Sequence, residues 1–119
     1  MAYVDGFVIP MPEKNLPEYR RIARAASKIW IEHGALEYRE CIGDDLQASF
    51  GVPFPKMAKA KPGETVVFSW VVFKSKAHRD RVNKKIMADP RIEKMMQNKT
   101  NPFDPKRMAY GGFKVLVEA

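Results

Sequence analysis

The sequence predicts an α+β domain in which two helices cover one face of a four-stranded antiparallel sheet. Segments with strand character and segments with helical periodicity follow one another in the order β-α-β-β-α-β. The chain has 119 residues, which is about one domain, and its 45% hydrophobic and 29% charged composition is that of a globular protein. We therefore expect a single domain over residues 1–119.

The first strand and the first helix have clear boundaries. Residues Tyr3–Pro10 are rich in β-branched and aromatic side chains and end at a proline. Asn15 and Glu18 have the spacing of a capping box, and Gly34 is suited to end the helix. The buried stripe predicted between them comprises Tyr19, Ile22, Ala23, Ala26, Ile29 and Trp30, with Arg20, Arg21, Arg24 and Lys28 turned away.

The middle of the chain predicts two strands separated by a long connection. Leu36–Leu46 has strand character, and so does Thr65–Phe73. The connection over residues 47–63 contains three prolines and several apolar side chains, so we expect an ordered flap that packs on the domain.

The last third of the chain predicts two helices and a final strand. Ser75 can cap a helix that runs to about Ala88. Asp89 followed by Pro90 is typical of the start of a further short helix, which extends through Met96. Met108–Glu118 predicts the fourth strand.

The third strand is apolar on both faces. Val66, Phe68, Trp70 and Val72 alternate with Val67, Val71 and Phe73. The element order is that of ferredoxin-like folds, whose helices cover only one face of the sheet. A second apolar face therefore implies a partner, and the simplest partner is another copy of the chain, which predicts a homodimer.

Charge is distributed unevenly along the chain, which has a net charge of +7. Residues 56–107 contain 14 basic and 5 acidic residues, a net charge of +9, and the remainder carries −2. This basic half leaves a nucleic-acid-binding module as an alternative function. The lysines fall singly, however, and no interleaved aromatic and basic motif is present, so the composition favours a solvated surface.

The sequence predicts a cytoplasmic protein without a membrane-spanning segment. Its longest apolar run, Val66–Phe73, is too short to cross a bilayer, and no signal peptide is apparent at the N-terminus. The single cysteine, Cys41, fits a reducing compartment.

Several segments together resemble a known family over nearly the whole chain, the bacterial YbaA-like family, which is domain-of-unknown-function family 1428. They are residues 3–10 (YVDGFVIP), 35–38 (ALEY), 43–45 (GDD), 63–70 (GETVVFSW), 77–80 (AHRD), 101–104 (NPFD) and 107–113 (RMAYGGF). The resemblance implies a ferredoxin-like subunit of the dimeric α/β-barrel superfamily and no established activity. More distant members of that superfamily include cofactor-free monooxygenases, haem-degrading enzymes, isomerases and binding proteins, so the fold alone decides little.

Six residues are candidates for a site. Asp5 and Glu40 are catalytic candidates, because each carboxylate shares a strand face with apolar neighbours. With strand order 4-1-3-2 they lie two strands apart. The candidate ligand-binding residues are Tyr38, Trp70, His78 and Arg107, with Tyr38 and Trp70 in the wall of a pocket and Arg107 as an anion clamp at its mouth. Asp5 and Glu40 also have a structural interpretation as paired or solvated carboxylates, and His78 has one as a capping or packed residue.

The sequence predicts neither a metal site nor a cofactor. His33, His78 and Cys41 have no ligand spacing. Haem-degrading members of the superfamily use an asparagine, a tryptophan and a helical histidine, and Asp5, Trp70 and His78 occupy comparable elements. Aspartate in place of asparagine, and a different helical register for the histidine, argue against that chemistry here.

The leading hypothesis is a homodimer that binds a small organic ligand in a cavity between the sheet and the dimer partner. Its chemistry would be acid–base catalysis, an isomerisation or a cofactor-free oxygenation. The nucleic-acid-binding module and a non-catalytic structural or regulatory dimer remain the alternatives.

Overall fold

The computed structural model describes residues 2–97 and 101–119 and contains one four-stranded antiparallel sheet. The strand order is β2-β3-β1-β4, the order that the sequence predicts. The α+β, ferredoxin-like fold is therefore confirmed. The strands are β1 (Tyr3–Pro12), β2 (Glu37–Ile42), β3 (Glu64–Phe73) and β4 (Ala109–Lys114).

Four helices accompany the sheet within residues 2–97 and 101–119. The two long ones, α1 and α3, follow β1 and β3 as predicted, and a short helix lies in the long connection. None of the helices in the described part of the chain is long and apolar enough to span a membrane. The helices are α1 (Leu16–Glu32), α2 (Phe54–Met57), α3 (Lys76–Met87) and α4 (Pro90–Met96), with 3-10 turns at Glu13–Asn15 and Pro105–Arg107.

Two strands end earlier than the sequence predicts. β2 ends at Ile42 instead of Leu46, after which Gly43 donates one more bond to the carbonyl of Val66. β4 ends at Lys114 instead of Glu118, because its partner β1 begins at Tyr3 opposite that residue. For β4 the hydrogen-bonding partner thus sets the length of the strand, whereas β2 ends although β3 continues to Glu64.

Two of the three predicted N-terminal helix caps are present, and Gly34, with φ at 119°, follows the end of α1 as predicted. The Ser75 hydroxyl accepts a hydrogen bond from the backbone N–H of His78, and the Asp89 carboxylate accepts one from that of Arg91. The predicted capping box of α1 is wrong. The 3-10 turn before α1 already holds Asn15 in a helical conformation, and its side chain donates to the carbonyl of Pro102 at 2.7 Å.

The ladder between β1 and β3 sorts side chains between the two faces of the sheet. Ile9 pairs with Val67 and Tyr3 pairs with Phe73, and all four side chains point towards the helices. Two buried clusters form beneath the helices. One comprises Tyr3, Ile29, Ala35, Val71, Phe73, Val82, Ile86 and Ile92, and the other comprises Ile9, Met11 and Val67, packed by Leu16 and Tyr19.

The opposite face of the sheet, which we call the open face, is not covered by α1, α3 or α4. Phe68 on β3 is 44% exposed there, and Phe113 on β4 is 61% exposed. The connection that follows β2 touches this face through Phe54, whose ring lies 6.0 Å from that of Phe68. Phe50 and Val52 of the same connection stay exposed, so the predicted flap packs less of its apolar surface than expected.

An ion pair joins the start of β3 to the segment that leads into β4. Both guanidinium Nη atoms of Arg107 donate to the Glu64 carboxylate at 2.8 Å, and Nη2 also donates to the carbonyl of Lys59. The hydrogen bonds from Arg107 and from the backbone of Lys61 lower the pKa of Glu64 to about 2. One carboxylate therefore ties β3, the connection and β4 together.

We predict that Glu64→Gln lowers the free energy of unfolding at pH 7 by about 1–3 kcal/mol, because Arg107 loses a charged, bidentate partner. The folded pKa lies below the usual 4.5, so this stabilisation is present above pH 4.5 and is lost as the pH falls towards 2. In urea denaturation, the free energies of unfolding of the wild-type protein and of Glu64→Gln should therefore become equal at low pH. Glu18→Gln, which removes an exposed pair with Arg21, is the control, and an equal effect in both variants would contradict the interpretation.

Candidate functional site

A cleft of about 820 Å³ lies between α1 and the edge strand β2, on the helix-covered side of the sheet. The small side chains of Ala23 and Ser27 on α1 leave space that a larger residue would fill. The lining is largely apolar, with a few polar groups, as is typical of small-molecule sites. It comprises Leu16, Pro17, Tyr19, Arg20, Ala23, Arg24, Ser27, Tyr38, Glu40, Cys41, Ile42 and Val67.

The polar centre of this cleft is a carboxylate held by two phenols. Tyr19 Oη donates to Glu40 Oε1 at 2.7 Å, and Tyr38 Oη donates to Glu40 Oε2 at 2.8 Å. Burial, reinforced by the negative charge of Glu40, raises the pKa of both tyrosines far above the usual value. Both phenols therefore stay protonated and act as donors at neutral pH. We call Tyr19, Tyr38 and Glu40 the tyrosine–glutamate triad.

The triad combines two predicted site residues, Tyr38 and Glu40, with Tyr19, which the sequence predicts only as part of the buried stripe of α1. Tyr38 and Glu40 are two residues apart on β2, so their side chains point to the same face. Tyr19 belongs to the apolar stripe of α1, and its ring also packs at 5.7 Å from that of Phe103. A tyrosine in place of a phenylalanine in such a stripe could have predicted a polar contact here, because a buried hydroxyl needs a hydrogen-bond partner.

Asp5 lies in a different cluster on the same face of the sheet. It is 3% exposed, and its Oδ1 atom, 3.8 Å from Arg79 Nε, has no hydrogen-bond partner among the described residues. Burial raises the pKa of Asp5, and the charge of Arg79 only partly opposes this. Arg79 is held in turn by Tyr3, whose hydroxyl accepts a hydrogen bond at 3.2 Å and whose ring centroid is 5.0 Å from the guanidinium carbon.

The two catalytic candidates do not share one pocket wall. Asp5 pairs in register with Val71, whereas Glu40 pairs with Ser69 on the other side of β3. Two strand spacings and a two-residue offset separate their positions by roughly 12 Å. Glu40 lines the cleft, and Asp5 does not.

We predict that Arg79→Met destabilises the protein by about 3 kcal/mol at pH 7, because it leaves the Asp5 carboxylate buried without a cation. Since the folded pKa of Asp5 is raised above 3.8, the ionised form is disfavoured, and its contribution to stability falls as the pH rises. In urea unfolding, Arg79→Met should therefore lower the free energy of unfolding less at pH 4 than at pH 7. Adding Asp5→Asn to the variant should remove this pH dependence, and an equal loss at both pH values would contradict the assignment.

Trp70 lies on the open face, so the prediction that it shares a cavity wall with Tyr38 and Glu40 is wrong. It pairs in register with Arg39, and side chains alternate along a strand, which sends Tyr38 and Glu40 to the opposite face. The indole Nε1 of Trp70 donates to Glu37 Oε2 at 2.8 Å. The cavity predicted between the sheet and a dimer partner would therefore exclude the carboxylate of Glu40.

Two further candidate ligand-binding residues have structural partners. The predicted anion clamp, Arg107, is bound by Glu64 as described above. His78 Nδ1 accepts a hydrogen bond from the backbone N–H of Lys74 at 3.0 Å, and the ring also has a backbone hydrogen bond with Gly34. Burial lowers the pKa of His78. Because Trp70 is on the far face, the structure does not bring Asp5, Trp70 and His78 together in one site.

A cluster of possible metal ligands joins the C-terminal end of α1 to the start of α4. Ligand atoms of Glu32, His33 and Asp89 lie within 4.8 Å of one another. The Arg91 guanidinium donates to the carboxylates of both Glu32 and Asp89, and His33 Nε2 lies 2.7 Å from Asp89 Oδ2. A cationic side chain thus already balances these acids, and the cluster acts as a helix–helix junction.

Comparison with known proteins gives a family and a fold. The family described as "Protein of unknown function (DUF1428)" matches residues 2–105. Proteins named "Uncharacterized protein YbaA" from Escherichia coli K12 and Shigella flexneri are 41% identical over 118 residues, covering 99% of each chain. The crystal structure of an uncharacterised NIPSNAP domain protein from Burkholderia xenovorans aligns with a TM-score of 0.53 and 16% identity, over 98% of this chain and 94% of that one. At that identity the structural likeness shows the fold alone.

Proposed function

We infer that this chain, which belongs to the DUF1428 family of bacterial proteins of unknown function, binds a small organic ligand in the cleft between α1 and β2. The observation that carries the proposal is the tyrosine–glutamate triad in the lining of this cleft. A carboxylate that lines a largely apolar cleft orients a ligand through a few polar contacts, which is the usual design of a small-molecule site.

Within the triad, Glu40 can still accept a hydrogen bond from a ligand. An ionised carboxylate has about four lone-pair positions, and Tyr19 and Tyr38 use two of them. A ligand hydroxyl or N–H in the cleft can therefore hydrogen-bond to Glu40 without displacing either phenol. The reaction class that this geometry supports is proton transfer, with Glu40 as the acceptor and the two phenols fixing its position.

We predict that phenol, a neutral probe with one donor, binds the wild-type protein at millimolar concentration in isothermal titration calorimetry. Glu40→Gln should weaken its binding roughly tenfold, because a charged acceptor becomes a neutral one. Glu37→Gln is the matched control, because Glu37 lies on the same strand and points to the open face. Thermal unfolding of both variants establishes that they are folded.

Two results would contradict this proposal. One is the absence of phenol binding to the wild-type protein. The other is equal binding by the Glu40 variant, which would place the phenol elsewhere.

We further propose that the protein works as a cytoplasmic homodimer built through the open face. The subunit is flat, with extents of 39 × 38 × 20 Å, and a single layer of helices covers one side of the sheet. Phe68, Phe113 and Leu116 remain exposed on the open face or on the segment after β4. Exposed large apolar side chains of this kind are typical of a protein–protein interface. In such a dimer the cleft stays on the helix side of each subunit, away from the paired sheets.

We predict that combining Phe68→Asp with Phe113→Asp converts a dimer into a monomer, because it would bury two charges at the interface. Light scattering after size-exclusion chromatography gives the mass directly. Met87→Asp is the control, since Met87 is 64% exposed at the end of α3 on the other side of the molecule. A wild-type monomer, or a double variant that stays dimeric, would rule out this interface.

A further inference from the structure

The charged residues of the cleft differ in depth and in sign. Among the residues that line it, Glu40 is the acidic residue, and Arg20 and Arg24 are the basic ones. Glu40 is half-buried and accepts hydrogen bonds from its two tyrosines, whereas both arginines are exposed. The cleft therefore has a deep anionic acceptor and a cationic rim.

The two rim arginines differ from the arginine next to them in their partners. Arg21, on the same helix, donates two hydrogen bonds to Glu18, at 2.6 and 3.1 Å. In the described part of the chain, neither Arg20 nor Arg24 has a carboxylate within 4.0 Å. Glu40 lines the same cleft, but its two oxygens are bound by the phenols of Tyr19 and Tyr38.

The spacing of these arginines also brings two positive charges close together. Arg20 and Arg24 are four residues apart on α1, so their side chains are neighbours on one face of the helix and repel each other. An anion bound between them removes that repulsion. If the anion is planar, like a carboxylate, its oxygens can accept hydrogen bonds from both guanidinium groups. The pair is thus suited to a carboxylate or a similar planar anion.

Resting on the proposed function, we propose that the ligand of this cleft is an organic anion with a hydrogen-bond donor at its opposite end. The acidic group lies at the rim against Arg20 and Arg24, and the apolar body lies along side chains such as Leu16 and Val67. The hydrogen-bond donor at the other end of the ligand donates to the Glu40 carboxylate. Glu40 repels the acidic group and the two arginines attract it, so these opposite charges fix a single orientation of the ligand.

The test compares an anion with its neutral counterpart. Calorimetry measures the binding of para-hydroxybenzoate and para-hydroxybenzamide, and of the longer pair para-hydroxyphenylpropanoate and its amide. For one of the pairs at least, the wild-type protein should bind the acid about tenfold more tightly than the amide. The combined variant Arg20→Gln, Arg24→Gln should lose this preference. Arg21→Gln, the matched control on the same helix, should keep it.

Phenol binding separates the failure of this inference from the failure of the proposed function. If phenol binds and depends on Glu40, but neither acid binds better than its amide, the ligand is not selected as an anion and this inference is wrong. A preference that survives in the double arginine variant would also overturn it, because another cation would be responsible. If phenol fails to bind the wild-type protein, the proposed function falls, and this inference falls with it because it rests on that function.

Discussion

The ladder between β1 and β3 determines which side of the molecule every functional side chain occupies. It runs for ten residue pairs from Tyr3–Phe73 to Pro12–Glu64, and both neighbouring strands take their register from it. Because side chains alternate along a strand, a shift of one residue would move the whole apolar set to the other face. The buried clusters, the cleft and the open face all depend on this one register.

The cleft follows from the way in which a polar group is buried at the edge of that sheet. β2 has a strand neighbour on one side only, and α1 packs over it with small residues facing the gap. Tyr19 and Tyr38 bury their rings and must satisfy their hydroxyls, and Glu40 accepts from both. The same hydrogen bonds that stabilise the packing of α1 against β2 therefore position a carboxylate in the cleft.

The elements of the fold could be predicted from local patterns, whereas the site needed tertiary information. The strand order followed from the β-α-β-β-α-β sequence, and the caps at Ser75 and Asp89 followed from residue type and spacing. Alternation within β2 placed Tyr38 and Glu40 on one face. No local pattern showed that Trp70 opposes Arg39, because that depends on the β2–β3 register.

Partners distant in the chain account for the remaining differences. Glu64 holds Arg107 across 43 positions, and Pro102 draws Asn15 away from the capping role across 87. Arg20 and Arg24 fall on the polar side of the α1 stripe, where the sequence indicates a solvated surface. Only the position of β2 beside α1 turns that surface into the rim of a cleft.

The most direct test of the central claim is a nuclear magnetic resonance titration of isotope-labelled protein with para-hydroxybenzoate. If the cleft between α1 and β2 is the ligand site, backbone amide shifts will concentrate in residues 16–27 and 38–42, which supply nearly all of its lining. Shifts concentrated on the open face around Phe68 and Phe113, or around Asp5 and Arg79, would contradict the account. The absence of any saturable shift with both para-hydroxybenzoate and the longer para-hydroxyphenylpropanoate would contradict it as well.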